Sequence, residues 1–190
     1  MCDCEKVETK KSVDLEKDIS ESFLKNREIF LWSDIDDDTA KTVVSKIMYL
    51  DSINNDEIKL FINSPGGVIS SGCAILDAMD NAKSPISTIV MGQAASMASV
   101  ILAHGTKGLR KAWKRSRVMI HQPLISGDMY GVNADLQIQA QEMKRIREEM
   151  NRQLSEDTGK SVEQIEIDTD RDYFMSAEQA VEYGMVDSIV

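Results

Sequence analysis

Short apolar runs alternate with amphipathic stretches along most of this chain. Four runs have the length and the content of β-branched and aromatic residues that predict buried strands, namely 28–32, 57–63, 85–92 and 117–121. Between them, apolar residues recur at helical spacing, as in Val43, Val44, Ile47 and Met48, and in Cys73, Ile75, Leu76 and Met79. This alternation predicts an α/β fold, a mainly parallel sheet covered by helices.

Capping and turn residues divide the pattern further. Asp36-Asp37-Asp38 caps the first of these helices, and Ser176 with Gln179 predicts a capping box on a last helix that Gly184 ends. The strand–turn–helix units over 57–82 and 86–105 resemble each other in order. That order favours a repeated ββα superhelix over a nucleotide-binding sheet.

A long polar helix is predicted over 134–158. Its apolar residues form a narrow stripe, Leu136, Met143, Ile146, Met150 and Leu154. Such a stripe fits packing against a helix of a second subunit or docking on the chain's own core, and the pattern does not decide between them. The segment 124–132, with Gly127 and Gly131, predicts a mobile loop or an edge strand, and the charged residues 1–26 predict a loose or helical extension.

Composition and charge narrow the classes of partner. The chain has 190 residues and a net charge of −10, which argues against nucleic acid or anionic lipid as the main partner. No run of eighteen apolar residues and no secretory signal occur, and three cysteines is an odd number, so we expect a reduced, cytoplasmic protein. No phosphate-binding loop motif is present, and Cys2-x-Cys4 lacks nearby partner ligands, so we expect neither a nucleotide cofactor nor a metal.

The candidate chemistry centres on a serine and one of only two histidines. Ser96, in Gly92-Gln93-Ala94-Ala95-Ser96-Met97, stands where a strand gives way to a helix, as a nucleophilic serine does in hydrolase folds. His121 ends the strand that follows and can serve as the base. His104 lies eight helical residues beyond Ser96, or about 12 Å, and is instead expected at the end of a helix that Gly105 closes.

A carboxylate and oxyanion donors would complete this chemistry. Asp168, Asp170 and Asp172 are the candidates for orienting His121, and spacing alone does not choose among them. A calcium loop is excluded because its required glycine and glutamate positions hold Tyr173 and Gln179. The turn Ser64-Pro65-Gly66-Gly67 and the Met97 N–H offer backbone donors.

Four segments in order resemble the ClpP family, the proteolytic subunits of the ATP-dependent Clp protease. They are Phe61–Gly67, Met91–Met97, Ser116–Pro123 and Asp170-Arg171-Asp172, within a resemblance that runs from about Lys25 to Val190. The resemblance implies one protease domain over 25–190 behind a variable extension over 1–24, a crotonase-like superhelix, and a "handle" helix over 134–158. It also implies Ser96 as nucleophile, His121 as base, and Asp172 as the carboxylate.

The same resemblance implies further site residues and an assembly. Gly67 and Met97 fall at the oxyanion donors, and Asp170 and Arg171 at a pair that couples ring contacts to the active site. Two stacked seven-membered rings, a tetradecamer, would enclose the sites, and a separate AAA+ unfoldase would feed in unfolded polypeptide for protein quality control. The missing ATP loop agrees with an ATPase on another chain.

Several positions depart from the family pattern. Residues 1–22 differ, Lys59 replaces an aromatic residue of the unfoldase docking pocket, although Phe61 remains, and Lys111–Arg115 replace an apolar stretch. The six basic residues between Lys107 and Arg117 suggest a positive patch, either a solvated connector or a binding surface. Two alternatives therefore stay open: a weakly active structural or regulatory subunit in a mixed ring with a paralogous ClpP subunit, and a crotonase-like acyl-CoA lyase, for which Ser96 with His121 has no clear role.

Overall fold

A seven-stranded sheet flanked by helices forms the core of the structure, a computed structural model that describes residues 15–124 and 131–190. The strands are β1 (Glu28–Leu31), β2 (Ile58–Ser64), β3 (Ile86–Ala95), β4 (Lys111–Ala112), β5 (Arg117–Ile120), β6 (Tyr173–Ser176) and β7 (Ser188–Ile189). The helices are α1 (Leu15–Lys25), α2 (Asp37–Ile53), α3 (Ile69–Asn81), α4 (Met97–Ala103), α5 (Asn133–Thr158), α6 (Val162–Asp168) and α7 (Ala177–Tyr183). The α/β prediction is confirmed, and each predicted apolar run forms a strand.

The sheet is parallel except at one edge. Its main path runs β1-β2-β3-β4-β7, and β5 pairs in parallel with the end of β3 and antiparallel with β6. In β2, alternate residues are buried from Ile58 to Ser64, as expected of a strand covered on one face. The segment Ile86–Val90 of β3 is buried throughout, as is typical of a central strand in a parallel sheet.

Strand β3 is longer than its apolar run predicts. It continues past Gly92 to Ala95, because Gln93–Ala95 pair with β5 while Ile89 and Val90 pair with β4. The chain bends at Gly92, where φ is +81° and an added Cβ would lie 2.6 Å from Asn63 Oδ1. The bend directs the end of β3 towards β5 and so brings residue 96 beside the strand that carries His121.

Helix ends follow the predicted capping chemistry with one exception. Asp36 accepts a hydrogen bond from the Thr39 N–H, Ser176 and Gln179 form the capping box, and Gly184 is left-handed. Gly105 directly follows the C-cap His104 of α4, as predicted, but unlike most glycines at this position it has no positive φ. Its small size serves close packing instead, because a Cβ there would lie 2.2 Å from Thr88 Oγ1.

Helix α5 is anchored at one end only. Asn151 and Leu154 are its two buried residues, whereas Leu136 is 38% exposed and Ile138 62% exposed. The amino-terminal part of the predicted stripe is therefore exposed in the part of the chain that the structure describes. The predictions for residues 1–14, including Cys2-x-Cys4, and for the loop at 125–130 lie outside the described residues.

One of the six basic residues predicted to form a patch over 107–117 is buried in the structure. Arg110 is 5% exposed and pairs with Asp187 at 2.6 Å, while its guanidinium also donates to the carbonyls of Ala103 and Asp157. Burial alone would raise the pKa of the Asp187 carboxyl. The hydrogen bonds that Asp187 accepts from Arg110 outweigh this effect and keep its pKa below the usual value. From within the core, Arg110 therefore links the start of β4 to the segment that leads into β7.

None of the described helices is long and apolar enough to cross a membrane.

Candidate active site

Ser96 occupies a sharp turn between β3 and α4. Its backbone has φ 54° and ψ −130°, a region that a residue with a Cβ rarely adopts. The turn is held because the Ser96 N–H donates to the Met119 carbonyl on β5 at 3.0 Å and the Ser99 N–H donates back to the Ser96 carbonyl at 2.9 Å. Strain at this position is typical of an elbow that lifts a hydroxyl above a helix N-terminus.

His121 follows β5 directly and faces Ser96. Its Nε2 lies 2.9 Å from Ser96 Oγ, and its Nδ1 lies 3.0 Å from Asp172 Oδ1. The imidazole side chain is 15% exposed, so it is largely shielded while one edge remains open to a groove. With a carboxylate at Nδ1, the neutral ring holds its proton there and presents an Nε2 lone pair to the hydroxyl.

The three candidate aspartates have three different partners. Asp168 accepts hydrogen bonds from Tyr183 Oη at 2.8 Å and Gln164 Nε2 at 3.0 Å. Asp170 lies 3.8 Å from the Arg147 guanidinium. Of these three aspartates, only Asp172 lies within hydrogen-bond distance of His121 in the described residues.

The segment that carries Asp172 is tied to the strand that carries His121. The Gln122 N–H donates to the Thr169 carbonyl, and Gln122 Nε2 donates to the Asp170 carbonyl at 2.8 Å. Thr169 is fully buried. These bonds fix the approach of Asp172, whose own side chain is 59% exposed.

The turn at 64–67 lies directly against Ser96. A Cβ on Gly66 would lie 2.7 Å from Ser96 Cβ and 3.0 Å from the Met97 nitrogen, so only glycine allows this approach. The backbone of Ile35 holds the turn from the other side. Its N–H donates to the Gly66 carbonyl, and its carbonyl accepts from the Val68 N–H. Neither bond uses the Gly67 N–H, and the Met97 N–H belongs to the first turn of α4, where donors have no helical acceptor.

A groove runs from this turn past the two catalytic candidates to α5. Gly67, Ser96 and His121 line it on one side, and Arg145, Ile146 and Met150 of α5 line it on the other. Arg145 pairs with Glu142 at 2.7 Å and with Glu149 at 2.9 Å, so these three side chains together leave one negative charge on this wall.

His104 lies at the end of α4, as predicted, and takes no part in this site. Its Nε2 lies 2.9 Å from Asp80 Oδ1 on α3, and its Nδ1 lies 3.2 Å from Asp157 on α5. The hydrogen bond to Asp157 and both carboxylate charges raise the His104 pKa against the opposing effect of burial. Sequence reasoning missed these contacts because Asp80 and Asp157 lie 24 and 53 residues away.

Arg171 projects from the site segment into solvent. It is exposed, and no hydrogen bond or ion pair ties it to the part of the chain that the structure describes. Asp170 beside it is also exposed, as is most of α5 before residue 150. Next to Asp172, the exposed Arg171 therefore carries a charge without a partner in the described residues. Asp170 lies 3.8 Å from Arg147 of α5.

Fold and site together have the geometry that serine hydrolases use: an α/β sheet, a strained serine at a strand–helix turn, and a histidine and carboxylate in line behind it. A family model described as Clp protease matches residues 11–190. The chain therefore belongs to the Clp protease family and is a peptidase of the ClpP type.

Proposed function

We propose that this chain is a serine endopeptidase in which Ser96, His121 and Asp172 form the catalytic triad. The observation that carries the proposal is the continuous chain of contacts, 3.0 Å from Asp172 to His121 and 2.9 Å from His121 to Ser96. Membership of the Clp protease family supports the same assignment.

The geometry supports the usual two-step acyl transfer. His121 Nε2 takes the proton of the Ser96 hydroxyl as Oγ attacks the peptide carbonyl, and Asp172 stabilises the imidazolium that forms. The imidazolium then protonates the leaving amine, which departs and leaves an acyl ester on Ser96. A water molecule, deprotonated by the same imidazole, hydrolyses that ester and returns the proton to Ser96.

We assign the oxyanion donors to the backbone N–H groups of Gly67 and Met97. The support is the contact of the Gly66-Gly67 turn with Ser96 and the position of Met97 at the start of α4. Donors held by the fold in advance need no reorganisation when negative charge develops, and each contributes about 3 kcal/mol to transition-state stabilisation in comparable sites.

We further propose that the active form is a double ring of seven-membered rings fed by an AAA+ unfoldase. The groove is open, so a lone subunit would offer little protection to folded proteins, whereas an enclosed chamber would admit only unfolded chains. The exposed stripe on α5 and the exposed Asp170 and Arg171 supply uncovered surface for ring-to-ring contact.

A second candidate function is a weakly active structural or regulatory subunit of a mixed ring with a paralogous subunit. The observation that favours it is Lys59, which stands at the expected docking pocket and pairs with Glu28 at 3.5 Å. Beside it, Phe61 stacks on Phe30 at 5.2 Å, so part of an aromatic surface is retained. A charged pair beside that aromatic surface would weaken docking without altering the triad.

Turnover of a fluorogenic peptide by the purified chain, with particle mass measured on the same sample, tests both proposals. Ser96→Ala should abolish turnover, whereas Ser70→Ala, an exposed serine that lines the same groove, should leave it within about twofold. A fully assembled chain without turnover would favour the structural role. Turnover that survives Ser96→Ala would refute the triad.

A further inference from the structure

His104 stands where α3, α4 and α5 meet, and one nitrogen of its ring has two competing neighbours. Nδ1 lies 3.2 Å from both carboxylate oxygens of Asp157 and 3.0 Å from Nε2 of Gln153, one turn earlier on α5. The other ring nitrogen, Nε2, lies 2.9 Å from Asp80 Oδ1 on α3. The side chain is 13% exposed, so protein groups rather than water surround most of the ring.

A second contact fixes the orientation of the Gln153 amide. Its Nε2 also donates to Asp157 Oδ2 at 3.0 Å, and an ionised carboxylate only accepts hydrogen bonds, so the NH2 end of the amide faces this corner. The remaining N–H can donate to His104 Nδ1 only when that nitrogen carries no proton. Asp157 can be a partner of Nδ1 only when it does.

The two arrangements therefore belong to two protonation states of the ring. In the cation both nitrogens donate, and the ring joins Asp80 of α3 to Asp157 of α5. In the neutral ring that keeps its proton on Nε2, towards Asp80, Nδ1 accepts from Gln153 instead. The charged link from α3 to α5 is then lost.

Two cations also reach this corner without facing the ring. The Arg110 guanidinium donates to the Asp157 carbonyl at 2.8 Å, and Lys107 Nζ donates to the Glu156 carbonyl at 3.1 Å. Both therefore bind backbone oxygens. In the described residues, Asp80 and Asp157 are the charged groups that face the ring from α3 and α5.

We propose that His104 is a proton-operated latch on the carboxyl-terminal end of α5. The protonated ring holds this end against α3, and loss of the proton transfers Nδ1 from Asp157 to Gln153 and loosens it. The latch lies one turn beyond Met150, which lines the groove beside Ser96. The inference goes beyond the proposed function, because it concerns how α5 is held and not the reaction.

The surroundings of the ring set the pH at which the latch opens. The hydrogen bond to Asp157, together with the charges of Asp157 and Asp80, raises the His104 pKa against the opposing effect of burial. The latch is therefore closed below about pH 6.5, the ordinary value for histidine, and opens as pH rises through the raised pKa.

The titration of His104 in two variants tests the exchange of partners. Exchange of the imidazole Cε1 hydrogen for deuterium, followed by mass spectrometry over a pH series, reports on each of the two histidines separately in the assembled protein. Asp157→Asn weakens the acceptor of the protonated ring, so the His104 midpoint should move to lower pH by about one pH unit. Gln153→Met removes the donor to the neutral ring and should move the midpoint the opposite way, to higher pH by about half a pH unit.

The matched control is Gln141→Met, which replaces the same residue type about 18 Å earlier on α5, at 1.5 Å per residue. It should leave the His104 curve unchanged, and the curve of His121 should coincide in all of these proteins. A His104 midpoint that Gln153→Met lowers or leaves in place would overturn the proposal, because Gln153 would not bind the neutral ring. If Gln153→Met does not fold, Gln153→Leu takes its place in the same comparison.

Backbone hydrogen exchange over residues 150–158 tests the latch itself. In the unchanged protein, exchange corrected for its intrinsic pH dependence should rise about fivefold, the weight of one hydrogen bond, as pH increases through the His104 midpoint. His104→Gln does not titrate, so the same segment should show no such step. A step of equal size in His104→Gln, or none in the unchanged protein, would overturn the latch. Both measurements are made without substrate, so their outcome is independent of whether Ser96 is the nucleophile.

Discussion

At the residue scale, the site depends on how closely the chain approaches Ser96. Gly66 has φ +95°, and a Cβ there would lie 2.6 Å from the Ala95 carbonyl oxygen and 2.7 Å from Ser96 Cβ. These neighbours are backbone or sit on a strained backbone, so they cannot yield by changing rotamer. The elbow and the glycine turn therefore form one rigid unit.

Gly66→Ala tests this unit against a matched control. Gly108 has nearly the same conformation, φ +88°, but nothing lies within 4 Å of an added Cβ. Gly108→Ala should cost about 1 kcal/mol of stability from backbone strain alone and retain turnover. Gly66→Ala should lower kcat/KM at least about a hundredfold, because it displaces the nucleophile. Equal activities in the two variants, measured with one fluorogenic peptide, would show that the contact does not matter.

Residues differ in how far the sequence predicts them. Ser96 and His121 could be found because the elbow motif and the scarcity of histidine point to them directly. Asp172 required the family resemblance, since Asp168 and Asp170 have the same chemistry and differ only in three-dimensional neighbours.

At the element scale, three helices meet at His104. Asp80 of α3 and Asp157 of α5 face its ring from opposite sides, and the ring is 13% exposed. This contact anchors the carboxyl-terminal part of α5, near the buried Leu154, to the body of the protein. The long helix is therefore held by charge as well as by packing.

Stability should depend on pH through this cluster. The His104 pKa is raised above its ordinary value of 6.5, so the cluster stabilises the fold in full below about pH 6.5 and loses that contribution as pH rises through the raised pKa. His104→Gln removes the titration, so the stability advantage of the unchanged protein should shrink from pH 6 to pH 9. Thermal unfolding of both proteins across that range measures it. A difference that stays constant with pH would contradict the account.

The elements that the sequence predicts well are those with strong periodicity. The strands at 28–32, 57–63 and 117–121 owe their pattern to burial, and the structure places them within a few residues of the prediction. The helix over 134–158 is also found within a residue of its predicted start, although only Asn151 and Leu154 of it are buried. Strand β6 was not predicted, because Tyr173 and Phe174 are exposed and its pairing with β5 sets its conformation. The extension of β3 past Gly92 was missed for the same reason, since partner strands define it.

At the scale of the whole molecule, two surfaces stay exposed in the part of the chain that the structure describes. One is most of α5 before residue 150, and the other is Arg171, which has no partner in the described ranges. The segment with Arg171 also carries Asp172. In the proposed double ring, a contact made by Arg171 would therefore act directly beside Asp172.

Arg171→Ala should break that link. We expect single rings or a loosened barrel, with turnover lost although Ser96, His121 and Asp172 remain. Arg115→Ala is the matched control, because Arg115 is equally exposed but far from Asp172 in the chain. Native particle mass and peptide turnover are read on one sample. Intact double rings with full turnover in Arg171→Ala would end the coupling idea, and turnover by a stable monomer would refute the barrel.

Covalent labelling tests the central claim, that Ser96 is the nucleophile activated by His121. The assembled protein is treated with a fluorophosphonate, and the modified residue is located by peptide mass mapping, with Ser70→Ala as the control and Ser96→Ala and His121→Gln as the test variants. We predict a single label on Ser96 in the unchanged protein and in Ser70→Ala, none in Ser96→Ala, and labelling slowed about a thousandfold or more in His121→Gln. A label on another serine, or equal labelling of Ser96 with and without His121, would contradict the account.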